Sequence, residues 1–554
     1  MLIKYTFKKH TIILLLTIGM TSLWSCDYDK LDNISGEATH VIVIGFDGLS
    51  PDGLKNAETP TFDRIMQEGA STMHARAVLP TSSSTNWASM IMGAGPEQHG
   101  ITSNSWERDN FTLPAVTQSE AFLFPSIFQL IRKQRSSAKI GAIYHWSGFG
   151  RLFEKSAVNY DENPATEEET AVNASSYIKV ENPLFTFIHF DHIDHAGHEF
   201  GHGTKEYYAS VEKGDSLLAE IMKAIAESDL AENTMVVISA DHGGIGKGHG
   251  GESLDEIEIP FMLWGKGIKK DYRIKYPVYQ YDNAATVAHA LNINIPRAWI
   301  GKPVLEAFEG DKVEDDYPIL VQLKKPELSN LSKGYAAEGG LYTDSTELVL
   351  KNPNSKGDIK YTLDGSMPKS DASTFRSSIL LKENTVVKSA VFVDDKLSST
   401  VSEAYFRIKP NALKAPVSYE VFHLENLSFI PSIGNRKPNA KGTVFEFSSE
   451  EVRPHIQSNT LFRFKSVVEI PADDIYDFAI RSDDGSQLFI DGELVVDNDG
   501  DHGVRLKNGS IELEMGKHAV EVIWFNGGGD GWLDVYIKSD DMPNQILSTN
   551  LLRK

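Results

Sequence analysis

Three apolar runs, each ending in a polar turn of Asp and His, constrain this chain more than any other feature. They are Val41 to Ile44 before Gly45-Phe46-Asp47, Pro183-LFTFIHF before Asp191 to His198, and Met235-VVISA before Asp241-His242-Gly243. A strand that is apolar at successive positions buries both faces, as strands do when helices cover the sheet on each side. Helical spacing fills the intervals, for example Phe62 to Gly69 and Tyr207 to Ala226. Strands alternating with helices predict an α/β sheet flanked by helices. In such sheets ligands gather outside the carboxyl ends of the strands, where all three runs place their Asp and His.

The chain has 554 residues, and at about 100–200 residues per domain that predicts three or four domains. The character changes near residue 315. Short alternating strands follow, such as Ile359-KYTL and Val386-VKSAVFV, then Phe478-AIR, Gln487-LFID, Ile511-ELEM and Ala519-VEVIWF. Turns such as Asp364-Gly365, Asp491-Gly492 and Asn526-Gly527-Gly528-Gly529 punctuate them, an all-β signature. The expected organisation is a leader at 1–25, a linker at 26–38, an α/β catalytic domain at 39–320, and all-β sandwiches at 326–409 and 410–554. The net charge of -23 repels a nucleic-acid backbone, so nucleic-acid polymers are not expected partners.

Lys4, Lys8 and Lys9 precede an apolar run from Ile12 to Leu23 that is short for a membrane span. It ends in Leu23-Trp24-Ser25-Cys26, and Cys26 is the single cysteine of the chain. No intramolecular disulfide is therefore available. This segment resembles the lipobox of bacterial lipoproteins, which implies cleavage before Cys26 and lipidation of its thiol. The expected location is then the outer membrane or cell surface, with the lipid anchor holding the protein to the membrane. The competing reading is an ordinary signal peptide.

Five separated segments of the first domain carry clustered Asp, His, Ser or Thr. They are Asp47 in GFDG, the run Leu79-PTSSSTNW, Asp194 to His198, Asp241-His242, and His249 in GHGG. Carboxylate and imidazole together suit zinc and related divalent ions. Two such ions about 4 Å apart clamp the attacking and leaving oxygens of a phosphoryl group. Each piece alone is weak, since an Asp after a strand is often a helix cap and an i, i+4 pair is ordinary helix surface.

Together the motifs VIVIGFDGLSPDGL, TPTFDRIMQEGA, LPTSSSTNWASMIMGAGPEQHGI, FDHIDHAGHEFG and SADHGGIGKGHGG resemble the alkaline phosphatase superfamily, in its type I phosphodiesterase/nucleotide pyrophosphatase branch. The resemblance implies a metal-dependent phosphoesterase that cleaves phosphodiester or pyrophosphate bonds of a phosphoester substrate. It implies two divalent ions, zinc by preference. Asp47, Asp241 and His242 would hold one beside the nucleophile, and Asp194, His198 and His249 the other. The nucleophile falls on Ser83, and Asn86 on the family's donor to a phosphoryl oxygen. Trp87 stands where the branch often has His, and Ser84-Thr85 replaces an aromatic-proline pair; these differences are expected at the pocket mouth. The short interval from His242 to His249 is similar to that of ethanolamine-phosphate transferases. The alternatives are a phosphomonoesterase or phosphoethanolamine transferase, and a catalytically inactive surface protein that binds glycan. His189, Asp191, His192, His195 and His202 crowd the same motif and are expected to support ligands rather than bind metal.

The segment around YTLDGSMP resembles the small immunoglobulin-like domain at the end of chitobiases, with a spacer role expected. The stretch RSDDGSQLFIDGELVVDNDGDHG with GSIELEMGKHAVEVIWFNGGGDGWLDVYI resembles PA14, which implies a carbohydrate partner. Asp483 and Asp484 are its candidates for calcium or glycan binding, and equally for ordering a loop. Trp524, Phe525 and Trp532 would stack on a sugar or fill the core, the commoner fate of strand aromatics.

Overall fold

The computed structural model describes residues 38–554 apart from 120–121, 314–315, 329–337, 410–413, 530 and 543. Cys26 and the leader before it lie outside the described residues. Among the described residues no helix is long and apolar enough to cross a membrane.

The first domain is built on eight strands: β1 (His40–Phe46), β2 (Ala70–Arg76), β3 (Ile140–Tyr144), β4 (Tyr160–Glu162), β5 (Phe185–Phe190), β6 (Thr234–Ser239), β7 (Glu258–Gly265) and β8 (Tyr272–Arg273). Their order in the sheet is β4-β3-β5-β1-β6-β7-β2-β8. The first five run parallel, and β7 runs against both β6 and β2. The three apolar runs are thus the adjacent central strands β5, β1 and β6. They are buried at every position except His40.

Alternate residues of β1 show why both faces must be apolar. Gly45 lies against Trp87 of the helix Ser83–Met92, while Phe46 meets Phe62 of the helix Pro60–Glu68 on the opposite face. Three parallel strands sharing two covered faces end on one edge, so the turns after them converge. That convergence brings the acidic and imidazole residues together.

Residues beyond 326 are all-β, as expected. The middle module is a sheet in which 338–343, Ser402–Lys409, Thr385–Val393, Asp358–Thr362 and Ser373–Thr374 are successive neighbours. The last module stacks a sheet centred on Thr460–Ile470 and Gly516–Asn526 against one centred on Asp474–Asp483 and Trp532–Lys538. Residues of both sheets, among them Phe462, Trp524, Phe478 and Leu533, share one core. The two modules are joined by a buried charge cluster. Arg407 lies 2.5 Å from Glu446 and 2.6 Å from Asp534.

Candidate metal centre

Each predicted ligand lies in the segment that follows a central strand, His249 furthest out in the loop after β6. Asp47 follows β1, and Asp241-His242 follow β6 by one residue. Asp194 and His198 lie one turn apart on the helix His192–Phe200, which follows β5. Gly48 permits the close approach of these segments. Its φ is +70°, and a Cβ there would stand 2.7 Å from the Asp194 Cα. Its N–H donates to Asp241 Oδ1 at 3.1 Å.

All six predicted ligands come together. His242 Nε2 is 3.4 Å from Asp47 Oδ1 and 3.1 Å from Asp241 Oδ2. His198 Nε2 is 3.3 Å from Asp194 Oδ2, and His249 Nε2 is 3.1 Å from His198 Nε2 and 3.7 Å from Asp194 Oδ1. The two groups adjoin, because the ligand atoms of His242, His249 and Asp194 lie within 4.8 Å of one another.

The protons of the three imidazoles follow from their other nitrogens. The Nδ1 of His242, His249 and His198 faces the carbonyl of Gly243, Thr81 and Lys247 at 2.8, 2.7 and 2.9 Å. A carbonyl only accepts, so each Nδ1 carries a proton, and in the neutral imidazole each Nε2 then turns a bare lone pair inward, the arrangement found around metal-binding histidines. Asp47 Oδ1, Asp194 Oδ1 and Asp241 Oδ2 are buried with no hydrogen-bond partner. Converging lone pairs without donors are costly unless a cation sits among them. Burial, then repulsion from Asp47 and Asp194, pushes Asp241 well above the usual carboxyl range. Burial works the same way on Asp194, but positive charge at the surrounding His198, His249 and His242 positions, as a bound cation would also supply, holds it well below that range. The residues present therefore fit a pair of divalent cations.

The hydroxyl run has one member at this centre. Ser83 Oγ is 3.3 Å from His242 Nε2 and opens the helix Ser83–Met92. Its neighbours are engaged elsewhere: Thr81 with Gly251, Ser82 with Thr85, Ser84 with Arg151. A helix N-terminus presents N–H groups and a positive dipole end to an anion.

Asn86 does not serve as expected. Its side chain is fully buried and turned back on the preceding loop, accepting from Val78 N–H and donating to the carbonyls of Val78, Pro80 and Ser82. Its amide is engaged at both ends by the loop that carries Ser83. The amide beside Ser83 is instead that of Asn104, whose Oδ1 accepts from Ser84 N–H at 2.8 Å. The sequence reading passed over Asn104 because it lies 21 residues on from Ser83. Its position in a polar Ser-Asn-Ser turn, after the helix that Ser83 opens, was the available signal. Arg151 was missed too; it bonds Ser84 Oγ and the Asn104 carbonyl and pairs with Glu107 at 2.7 Å.

The pocket-mouth expectation for Trp87, Ser84 and Thr85 also fails, because all three are fully buried. Trp87 lies beneath the centre, and its Nε1–H donates to Asp47 Oδ2 at 2.9 Å. His189 is buried 3.5 Å from that same oxygen. His202 is half-buried, its ring packed beside Gly197 and Gly244, and desolvation drops it to about 4. His195 is exposed beside Glu199.

In the last module, Asp484 accepts N–H bonds from both His502 and Gly527, so its carboxylate ties two loops together. Burial, opposed by the Gly527 N–H, lifts it to about 7, with Asp501 alongside. Asp483 is buried, and its carbonyl accepts the Trp524 indole N–H. Among the described residues, the groups of His, Asp and Glu close enough to share an ion do not include this pair. Trp524 and Phe525 are fully buried, which assigns them to the core; Trp532 is half-buried and donates to Asp534. The two loops tied by Asp484 reach the metal centre. Gly503 lies against His249 and Gly250, and Gly529 against the Lys247 carbonyl.

Residues 41–247 match the type I phosphodiesterase / nucleotide pyrophosphatase family. The matched span holds five of the six clustered ligands and Ser83, with His249 just beyond it. Residues 348–406 match the Fn3-associated family and 418–548 the PA14 domain. The human bis(5'-adenosyl)-triphosphatase ENPP4 is 27% identical over 224 residues, 39% of this chain and 49% of the relative. The human GPI ethanolamine phosphate transferase 2 catalytic subunit is 26% identical over 314 residues, 51% of this chain and 30% of the relative. The chain thus spans about half, or less, of the length of these relatives. A solved murine ectonucleotide pyrophosphatase/phosphodiesterase 5 superposes with a TM-score of 0.40 at 16% identity, covering 46% of this chain and 96% of that one.

Proposed function

We propose that the phosphodiesterase-family domain hydrolyses phosphodiester or pyrophosphate bonds through a phosphoryl ester on Ser83. One observation carries this reading. The Ser83 hydroxyl meets a cluster of six Asp and His ligands in which three buried carboxylate oxygens have no partner. Asp47, Asp241 and His242 hold the cation beside Ser83, and Asp194, His198 and His249 hold the other. Bound divalent ions, zinc by ligand chemistry, supply charge neutralisation and a lowered serine pKa.

Ser83 Oγ attacks phosphorus, forming the Oγ–P bond as the bond to the leaving alcohol or phosphate breaks. Water then cleaves the Ser83 ester and regenerates the hydroxyl. Asn104, with its oxygen tied to Ser84 N–H, directs its NH2 to a phosphoryl oxygen. With the N-terminus of the Ser83 helix, it stabilises charge that develops in the transition state. Arg151 fixes Ser84 and Asn104 in place. The complete ligand set argues against a decayed, purely glycan-binding protein.

The relatives named for nucleotide cleavage and for ethanolamine phosphate transfer bracket the substrate as a phosphoester whose acceptor is water or an alcohol. The PA14 module would hold a carbohydrate portion of that substrate near the site, raising its local concentration. A lipid on Cys26, placing the protein at the outer membrane or cell surface, completes the proposal.

The test is Ser83→Ala assayed on a nitrophenyl phosphodiester, with metal content measured in parallel. Loss of turnover with two ions retained is expected. Unchanged turnover would remove Ser83 as nucleophile.

A further inference from the structure

At the ends of β3 and β5, outside the six-ligand cluster, four more side chains turn lone pairs toward one another. His145 follows β3, Asp191 follows β5, Glu167 opens the helix Glu167–Glu181, and His192 opens the helix His192–Phe200. His145 Nδ1 faces the Pro164 carbonyl at 3.2 Å and so carries a proton, which in the neutral imidazole leaves Nε2 a bare lone pair. That Nε2 lies 3.6 Å from Asp191 Oδ1 and 3.9 Å from Glu167 Oε1. His192 is fixed in the opposite tautomer. Its Nε2 faces the Ser210 carbonyl at 3.1 Å, which leaves Nδ1 bare and 3.6 Å from Glu167 Oε1.

Glu167 is 4% exposed, and its Oε2 and the His192 Nδ1 are buried with no hydrogen-bond partner. The unpartnered lone pairs of Glu167 Oε2 and His192 Nδ1 are unfavourable in a buried site unless a proton or a cation lies among the four side chains. The spacings suit a metal, because ligands about 2.1 Å from one ion stand about 3–4 Å from each other.

We propose that His145, Glu167 and Asp191 form a third divalent-cation site, separate from the six-residue centre, with His192 backing it. One imidazole and two carboxylates select a zinc- or manganese-type ion over the all-oxygen preference of calcium. Glu167 Oε1 already accepts the N–H groups of Asp191 and His192, at 3.2 and 3.0 Å, and so caps the helix that carries Asp194 and His198. An ion here pins three segments: the turn after β3, the start of the Glu167 helix, and the start of the Asp194 helix. Its role is to position that last helix.

The test counts metal in the full chain equilibrated with excess zinc or manganese and then freed of loosely bound ions. Three ions per chain are expected in the wild type and two in His145→Ala. Two are also expected in Glu167→Gln, whose remaining carbonyl oxygen keeps the helix cap. The double variant Asp47→Asn/Asp194→Asn isolates the site: one tightly held ion should remain and raise its Tm, and adding His145→Ala should abolish both. Two ions in the wild type would overturn the proposal, since protons alone would then satisfy the cluster. Three ions in His145→Ala would also overturn it. Failure of the two-cation centre would appear separately, as an unchanged count on mutating Asp47 and Asp194.

Discussion

Gly503 of the last module lies against the backbone of His249, so closely that a Cβ on it would stand 2.6 Å from the His249 carbonyl oxygen. The PA14 module therefore meets a candidate cation ligand directly, and Asp484, by holding His502 N–H, sets the height of that contact. Gly503→Val must displace the His249 loop. About tenfold or greater loss of affinity for one of the two ions is expected, the size of effect seen when ligand support is removed. Calorimetric metal titration reads it, with near-UV circular dichroism checking that the module stays folded. Two ions held at wild-type affinity would show that the contact is passive.

Trp87 sits under the other half of the centre. Trp87→Phe keeps the ring against Phe149 and Phe187 but deletes the N–H that fixes Asp47 Oδ2. A loss of metal affinity of about 10–100-fold is expected, with a smaller change in melting temperature. An unaltered titration would mean that the bond does not orient Asp47.

His99 gives the first domain an acid limit. Burial holds it down to about 3. Its Nδ1 accepts Ile101 N–H, so its Nε2–H donates to Ser89 Oγ on the Ser83 helix. The unfolded chain takes a proton near 6.5 and the folded one only near 3, so stability is full above about 6.5 and falls as pH drops through that window. The slope approaches about 1.4 kcal/mol per pH unit. Urea unfolding across a pH series should show this slope in the wild type and lose it in His99→Gln. Equal slopes would exclude His99 as the cause.

Arg407 is paired with both Glu446 and Asp534, and all three are buried. Arg407→Met leaves buried Glu446 without its ion-pair partner and weakens the support of Asp534, which keeps the Trp532 N–H, at a cost of about 3–5 kcal/mol. Burial lifts Glu446 to about 7 even against Arg407. A carboxyl whose folded pKa is raised stabilises most below its unfolded value, and that contribution is lost as pH rises through 7. The variant should therefore be damaged more at pH 8 than at pH 5 by calorimetry. Equal damage at both would mean that Glu446 does not titrate there.

Some of the centre was legible because it obeys strand logic. Asp47, Asp194, Asp241 and His242 stand immediately beyond strands whose unbroken apolar runs announce burial on two faces. Asn86 was misread for the converse reason. A polar residue near a nucleophile can serve the ligand or the loop, and only the carbonyls of Val78, Pro80 and Ser82 around it decide which. Trp87 looked like a rim residue because nothing in one sequence says that its indole lies beneath β1.

The sequence by itself determined the alternation of strands and helices, the order of the modules and the chemistry of the ligand set, because these follow from local periodicity and residue type. The family resemblance already pointed to Ser83 in the hydroxyl run; tertiary structure alone decided that Asn104 rather than Asn86 lies at the start of its helix. It also brought Gly503 against His249, 254 residues earlier in the chain. Those outcomes depend on distances between segments far apart in sequence, which are set by packing across the sheet and between modules.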